Sequence, residues 1–178
     1  MIITISGLPG SGKSTIGKII AEKLGLTFYS IGDLRGKMAM ERGMTIDQLN
    51  KLGETEAWTD KEVDDYQIDL ARREDNFVID ARLSWFFMPR AFKVFLTVTP
   101  EEGARRIFAN PRPDESSAAS VEEVAERTKK RITSDRLRYE KWYHVRFDDP
   151  ANYDLVLDTT ARKPEQIVEE ILKAVKPS

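Results

Sequence analysis

Short apolar segments alternate with amphipathic ones along this chain, and that order predicts its secondary structure. β-Branched and aromatic residues cluster in five short runs typical of strands buried on both faces: residues 1–5, 26–29, 77–79, 93–98 and 154–158. After the first run, apolar positions recur with helical spacing from Ile16 to Leu24, and Gly25 ends the pattern. Because helical stretches separate the strands, we expect an α/β fold in which a five-stranded parallel sheet carries helices on both faces.

Two regions interrupt this alternation. Between about residues 30 and 76 the pattern is helical throughout, and two capping-box sequences, Thr45-x-x-Gln48 and Thr59-x-x-Glu62, predict helix starts there. A polar loop with two prolines lies between about residues 110 and 120, and a long charged helix is predicted over about 121–143.

No repeat and no long linker divides the chain, so a single domain is predicted. Its 178 residues, 40% of them hydrophobic, are enough to build one hydrophobic core. The predicted parts are a core (residues 1–29, 77–109 and 144–178), a helical insertion (about 30–76) and a lid with its flanking helix (about 110–143). We expect the insertion and the lid to move relative to the core.

Composition narrows the range of functions. The 28 Lys and Arg residues nearly balance 30 Asp and Glu residues, which argues against a nucleic-acid-binding protein that relies on bulk charge. The absence of cysteine excludes disulfides, thiolate metal sites and a cysteine nucleophile, and His144 is the single histidine. Apolar runs too short for a membrane span and an N-terminus without a charged leader predict a cytoplasmic protein that binds no membrane; a monomer is expected.

The sequence Gly7-x-x-x-x-Gly12-Lys13-Ser14 matches the phosphate-binding P-loop at every fixed position. Glycines let backbone N–H groups wrap around phosphates, and the N-terminus of the following helix adds its positive dipole. Lys13 is predicted to reach the β- and γ-phosphates of ATP, and Ser14 to place its hydroxyl on Mg²⁺. The predicted ATP-binding residues are Gly7, Leu8, Pro9, Gly10, Ser11, Gly12, Lys13, Ser14 and Thr15.

A P-loop alone does not define the reaction, but missing motifs restrict it. A guanine-specific switch protein would carry Asn-Lys-x-Asp, whereas Asn50-Lys51 is followed here by Leu-Gly, and no Asp-x-x-Gly follows Asp80. Motor and helicase cores need a longer chain. A small kinase remains, and it requires a cluster of basic residues facing the P-loop.

Arginines at predicted strand ends and on one helix face supply that cluster. Arg35 and Arg82 come after the second and third strands, at the sheet edge where open α/β folds bind ligands. Arg131, Asp135 and Arg138 share one helix face by their i, i+4, i+7 spacing. On spacing alone, this second set is equally well explained as a solvated face with an internal ion pair.

Taken in order along the chain, these motifs resemble those of the cytidylate kinase family, in particular its short form found in archaea and some bacteria. The resemblance covers nearly the whole chain and is most specific in Arg131-x-x-x-Asp135-x-x-Arg138. The other matching segments are the P-loop, Ser30-Ile-Gly-Asp-Leu-Arg35, Glu41-Arg-Gly-Met44, Ile79-Asp-Ala-Arg82, Asp154-Leu-Val-Leu-Asp-Thr-Thr160 and Pro164-Glu-Gln166. Two positions depart from the family pattern: Gly36, where relatives often have a second arginine, and Ala81, where they commonly have glycine.

The resemblance implies roles for particular residues. Lys13, Arg106 and Arg131 would be catalytic, with Arg106 meeting the ATP phosphates at the entrance to the lid. The implied nucleoside monophosphate site comprises Ser30, Asp33, Arg35, Arg82, Arg131, Asp135 and Arg138. Asp33 and Asp80 both follow strands, so either could orient magnesium-bound water, and each is equally well explained as a helix cap or turn carboxylate.

The implied reaction is transfer of the γ-phosphoryl group of ATP, as its magnesium complex, to CMP or dCMP. Within enzymes, the alternatives are kinases for AMP, UMP or another small acceptor; shikimate is disfavoured because the chain contains no Gly-Gly pair. From another class, the alternative is a regulatory ATPase that binds nucleotide without transferring phosphate to an acceptor.

Overall fold

The structure is a computed structural model that describes residues 1–175. It contains one five-stranded, wholly parallel sheet in the order β2-β3-β1-β4-β5. The strands are β1 (Ile2–Gly7), β2 (Thr27–Ser30), β3 (Phe77–Asp80), β4 (Phe92–Thr97) and β5 (Leu155–Asp158). Each lies within one or two residues of its predicted range. Residues 176–178, the end of the predicted core segment 144–178, lie outside the described residues.

Helices connect the strands and make up the region predicted to be helical. They are α1 (Lys13–Leu24), α2 (Ile31–Glu41), α3 (Ile46–Gly53), α4 (Trp58–Arg73), α5 (Ser84–Phe87), α6 (Pro100–Ala109), α7 (Val121–Tyr143) and α8 (Pro164–Ala174). Between β2 and β3 the chain forms α2, α3 and α4, and α7 has the predicted bounds. None of the helices within residues 1–175 is both long enough and apolar enough to cross a membrane.

Alternating strand residues build a core on each face of the sheet. On one face, Ile3 and Ile5 of β1 pack with Val94 of β4 against Ile20 of α1 and Ile171 of α8. On the other face, Phe77 and Ile79 of β3 pack with Leu49 and Leu70 of the insertion, and Phe95 of β4 packs with Tyr139 of α7. The prediction of helices on both faces is therefore confirmed.

The capping signals in the insertion give one correct and one wrong helix start. Thr45 forms the predicted capping box with Gln48 at the start of α3, since each side chain accepts from the other residue's backbone N–H. The second box is wrong, because α4 begins at Trp58 and Thr59 lies inside its first turn. The Thr59 hydroxyl donates to the carbonyl of Glu56 instead of capping the helix.

Strand order places the P-loop at the centre of the molecule. β1 lies between β3 and β4, pairing Ile5 with Asp80 and Gly7 with Leu96. The segment after β1 therefore emerges beside the carboxyl ends of both neighbours, where open parallel sheets form a ligand-binding crevice.

Candidate functional site

The P-loop backbone requires glycine at several positions. Gly10 and Gly12 have φ angles of 75° and 86°, in the left-handed region that other residues rarely adopt. A Cβ on Gly10 would also lie 2.4 Å from the carbonyl oxygen of Gly103 in α6, which leaves no space for a side chain. The loop therefore turns sharply while packed against α6, and α1 begins immediately after it at Lys13.

Lys13 is half-buried and lies in a predominantly cationic environment. Its Nζ donates to the carbonyl of Leu8 at 3.0 Å, within its own loop. Burial and, to a smaller extent, the neighbouring Arg82 lower the pKa of Lys13 to about 7, although Asp80 partly opposes the shift. A site with this electrostatic character favours an anion, because added negative charge stabilises the ammonium form of the lysine.

Ser14 and Asp80 form the candidate magnesium site. The Ser14 hydroxyl donates to Asp80 Oδ2 at 2.5 Å, which brings the first turn of α1 against the end of β3. A hydroxyl and a carboxylate are oxygen donors of the kind that Mg²⁺ prefers, usually together with water and substrate phosphates. The chemistry of this pair therefore fits the metal predicted to accompany ATP. Asp33, the other candidate carboxylate, instead pairs with Arg112 at 2.9 Å and has a side chain that is 60% exposed.

A cavity of about 790 Å³ opens beside the P-loop. Its wall combines Pro9–Ile16 with side chains from the insertion, the end of β3, α6, α7 and the segment after β5. Most of the predicted site residues share this cavity: Lys13, Ser14, Arg35, Asp80, Arg82, Arg106, Arg131, Asp135 and Arg138. The arginines predicted to face the P-loop from separate parts of the sequence therefore meet around one space.

Arg82 links the P-loop to the charged face of α7. Its Nη1 donates to the carbonyl of Gly7 at 2.5 Å, and its Nε donates to Asp135 Oδ2 at 3.0 Å. The other oxygen of Asp135 accepts from Arg138 Nη2 at 2.5 Å. Burial alone would raise the pKa of Asp135, but the guanidinium groups of Arg82 and Arg138 outweigh it and hold the pKa below its ordinary value. The i, i+4, i+7 set on α7 is therefore a buried network, and its interpretation as a solvated surface face is wrong for Asp135 and Arg138.

A second carboxylate, Asp60 of α4, completes this charged cluster. Asp60 Oδ1 lies 3.0 Å from Arg35 Nη1 and also accepts from Arg138. The Nε of Arg35 donates to Asn50 Oδ1 at 3.1 Å. Arg35 Nη2 and Asp60 Oδ2 are buried and have no hydrogen-bond partner within residues 1–175. Buried polar groups without partners are costly, so this end of the cavity is prepared to receive polar groups of a ligand.

Sequence reasoning missed four polar cavity residues of the insertion. Asn50, Asp60, Asp64 and Gln67 all line the cavity and are buried. The last three follow the same i, i+4, i+7 spacing that identified the α7 set, so that spacing could have marked them. In the sequence they resemble the solvated face of a charged helix.

Besides Lys13, the predicted catalytic residues are Arg106 and Arg131. Both lie in the cavity wall, where each is paired with other groups of the protein. Arg106 donates to the carbonyls of Gly10 at 3.3 Å, Thr159 at 2.8 Å and Thr160 at 3.1 Å. It therefore joins the P-loop to the segment after β5. Arg131 pairs with Glu115 at 3.1 Å, which connects α7 to the loop that precedes it.

The lid loop, residues 110–120, lies against the insertion. Arg112 pairs with Asp33 at 2.9 Å and with Asp114 at 3.0 Å. The Ile46 backbone N–H donates to the Asp114 carbonyl at 2.9 Å. Asp114 is almost fully buried, and a Cβ on Gly36 would come within 2.6 Å of its Oδ2. Gly36 departs from the family pattern, and because it has no side chain it leaves the space that Asp114 occupies.

Ser30 and Asp33 lie at the margin of the site. The Ser30 hydroxyl accepts from the backbone N–H of Asp33 at 3.2 Å and so caps α2. Asp33 holds Arg112 of the lid loop, and neither residue belongs to the cavity wall. A role for these two residues in nucleotide binding remains a prediction.

Comparisons with known proteins agree with the resemblance noted in the sequence. Residues 2–161 match the sequence profile of the cytidylate kinase-like family. The cytidylate kinase of Archaeoglobus fulgidus is 37% identical over 177 residues, which cover 99% of this chain and 95% of that protein. The cytidylate kinase of Methanococcoides burtonii is 33% identical over 178 residues, covering 100% of this chain and 98% of that protein.

A solved structure supports the fold. The shikimate kinase from Bacteroides thetaiotaomicron superimposes with a TM-score of 0.67 over 97% of each chain, at 20% identity. An identity this low bears on the architecture alone. The sequence matches go further, and on their evidence the chain belongs to the cytidylate kinase-like family.

Proposed function

We propose that this protein is a nucleoside monophosphate kinase that transfers the γ-phosphoryl group of ATP to CMP or dCMP. The observation that carries the proposal is the pair of contacts made by Arg82, which donates to Gly7 of the P-loop and to Asp135 of the arginine cluster. Through Arg82, a donor phosphate on the loop and an acceptor phosphate in the cluster would share one cavity. The cytidylate kinases among its relatives support CMP as the acceptor.

On the donor side, the P-loop amides and Lys13 would hold the ATP phosphates. Lys13 would leave the Leu8 carbonyl and turn to the β- and γ-phosphates, whose charge restores its ammonium form. Arg106, which donates to a carbonyl of the P-loop and to one of the segment after β5, would fix these two parts relative to each other. Phosphoryl transfer depends chiefly on such alignment and charge neutralisation.

Magnesium would be held by Ser14 directly and by Asp80 through water. When bound, the ion would supply positive charge to the β- and γ-phosphate oxygens. Ser14 and Asp80 would orient it, since their side chains already meet at the helix N-terminus.

On the acceptor side, Arg35, Arg82 and Arg131 would bind the phosphate of CMP. A phosphomonoester has a second pKa near 6, so its attacking oxygen is already anionic at neutral pH and needs no strong base. A new bond forms between that oxygen and the γ-phosphorus while the bond to the β–γ bridging oxygen breaks, which leaves ADP. Contacts of the lid loop with the insertion would exclude water and so limit hydrolysis of ATP. A monomer and a cytoplasmic location also remain predictions.

A coupled assay of ADP release with CMP, dCMP, UMP and AMP as acceptors tests the proposal. We expect ADP release to depend on the acceptor, with CMP or dCMP preferred, and Lys13→Ala to lower turnover by orders of magnitude while the fold remains intact. Slow ADP release that ignores every acceptor would contradict the proposal and favour a regulatory ATPase. Near-normal turnover of Lys13→Ala would contradict the role of the P-loop.

A further inference from the structure

A buried polar chain joins α4, α5 and α7 beside the cavity, and the reaction described above does not use it. The Ser84 hydroxyl donates to Gln67 Oε1 at 2.6 Å, and Gln67 Nε2 donates to Asp64 Oδ1 at 2.9 Å. The Tyr143 hydroxyl donates to Asp64 Oδ2. Asp64 and Gln67 are 6% and 1% exposed, and both belong to the cavity wall.

The direction of these hydrogen bonds determines which polar groups of the cavity wall remain free to bind a ligand. Ser84 has a single hydroxyl proton, which it gives to Gln67, so the amide NH₂ of Gln67 faces Asp64. One N–H of Gln67 remains unused, and each oxygen of Asp64 keeps a free lone pair. The wall therefore presents a hydrogen-bond donor next to a carboxylate acceptor.

Helical spacing places this donor and acceptor beyond the arginine cluster. Asp60, Asp64 and Gln67 follow one face of α4, and Gln67 lies about 10 Å along the helix axis from Asp60. Asp60 holds Arg35 and Arg138 at the charged end of the cavity. With the acceptor phosphate bound at that end, its pyrimidine ring would extend along the cavity towards the Asp64–Gln67 pair.

We propose that Asp64 and Gln67 form a base-reading pair that selects cytosine over uracil in the acceptor nucleotide. Cytosine carries an N4 amino donor beside its N3 acceptor, which complement the carboxylate of Asp64 and the free N–H of Gln67. Uracil carries an O4 acceptor beside an N3–H donor, so both contacts would be repulsive. This inference rests on the proposed function and assigns its base specificity to the Asp64–Gln67 pair.

The same pair makes the selectivity sensitive to pH. A protonated Asp64 could donate to uracil O4, whereas an ionised Asp64 accepts from cytosine N4. Burial raises the pKa of Asp64 to about 7, against the opposing hydrogen bond from Tyr143 of α7. The charged groups that also act on it are Asp60 of α4, Arg35 of α2 and Arg138 of α7. The kcat/KM ratio of CMP to UMP should therefore rise with pH, by up to about tenfold per pH unit, since kcat/KM reports the free enzyme.

The first test compares Asp64→Asn with Asp65→Asn, whose exposed side chain pairs with Lys61. We expect Asp64→Asn to lower kcat/KM for CMP about tenfold or more, to leave KM for ATP unchanged and not to lower kcat/KM for UMP. Asp65→Asn should leave the CMP to UMP ratio as in the wild type. An unchanged ratio in folded Asp64→Asn would overturn the proposal.

The second test uses the wild-type protein and so does not depend on a variant that folds. The CMP to UMP ratio of kcat/KM is measured between pH 5.5 and 8.5, where ionisation of the acceptor phosphate affects both substrates alike. A ratio that rises with pH supports the base-reading pair, and a flat ratio overturns it. If CMP is phosphorylated with a flat ratio, only this inference fails; if neither nucleotide is phosphorylated, the proposed function fails and the inference falls with it.

Discussion

The hydroxyl of Ser14 donates a 2.5 Å hydrogen bond to the carboxylate of Asp80, across 66 positions of the sequence. Ser14 belongs to the first turn after the P-loop, and Asp80 is the last residue of β3. Pairing of β1 with β3 places Asp80 opposite Ile5, two residues before the loop begins, so the sheet register itself creates this contact. The candidate metal site is thus built where α1, which follows the central strand β1, meets the end of the neighbouring strand β3.

Replacing Asp80 with Asn should raise the Mg²⁺ concentration needed for half-maximal activity and lower kcat. The amide can still accept from Ser14 but lacks the charge that orients magnesium-bound water, and losses of this kind are about 10- to 100-fold. Initial rates measured over a range of Mg²⁺ concentrations check this. Asp33→Asn serves as the control, because Asp33 pairs with Arg112 in the lid loop. A shift in Mg²⁺ requirement for Asp33→Asn alone would reverse the assignment.

Binding of ATP should take up about one proton at pH 8. Burial and the neighbouring Arg82 lower the pKa of Lys13 to about 7, so the free protein holds this lysine largely neutral at pH 8. Phosphate charge would return it to the ammonium form, which links ATP binding to proton uptake. Calorimetric titrations in two buffers of different ionisation enthalpy measure the uptake. At pH 6 the lysine is already charged, so proton uptake by Lys13 on ATP binding should nearly vanish. The absence of proton uptake at pH 8 would contradict the environment assigned to Lys13.

Asp135→Ala should weaken CMP binding more than ATP binding and also destabilise the fold. The substitution removes the buried counter-charge of both Arg82 and Arg138. Loss of one partner from a buried ion pair costs about 3–5 kcal/mol of unfolding free energy. Two-substrate kinetics and denaturant titration measure the two effects.

The control for this variant is Arg136→Ala on the same helix, which breaks the more exposed pair with Asp148. A partly exposed pair of this kind contributes at most about 1 kcal/mol, so little change is expected. A selective defect in ATP binding for Asp135→Ala would overturn its placement on the acceptor side.

Gly36→Ala should loosen the lid loop. The added Cβ would come within 2.6 Å of Asp114 Oδ2, so the loop could not seat on α2 as it does now. Gly32→Ala is a matched control in the same helix, because its Cβ would meet Arg112 at an ordinary 3.5 Å. Both variants gain about 1 kcal/mol of helix propensity.

Limited proteolysis of residues 110–120, with and without a bisubstrate analogue, distinguishes the two glycine variants. Gly36→Ala should be cleaved faster than Gly32→Ala and protected less by the analogue, and its kcat should fall. Equal cleavage of the two variants would show that Gly36 does not seat the loop.

Local patterns were sufficient to predict the sheet and the P-loop. β-Branched runs define the five strands, and the spacing from Gly7 to Ser14 defines the phosphate loop, because each signal lies within a few adjacent residues. The Thr59 prediction failed because a capping sequence does not specify whether the preceding residues also form helix. Here α4 begins one residue earlier, at Trp58.

The polar wall of the cavity was harder to predict, because its meaning depends on tertiary contacts. Asp60 and Asp64 look like ordinary surface charges on a helix, and contacts with other helices bury them: Asp60 pairs with Arg35 of α2 and Arg138 of α7, and Asp64 accepts from Tyr143 of α7. Arg35 was predicted from its place after β2, yet its partners Asn50 and Asp60 come from α3 and α4. The fit of Asp114 against Gly36 likewise depends on two segments that meet only in the folded chain.

The fate of the γ-phosphoryl group decides whether this protein transfers phosphate from ATP to CMP. Wild-type protein is incubated with magnesium, CMP and ATP labelled at the γ-phosphate, and the labelled products are separated. We expect the label to appear in CDP in proportion to the ADP formed, with little inorganic phosphate. Label released as inorganic phosphate at the same rate with and without CMP would contradict this expectation.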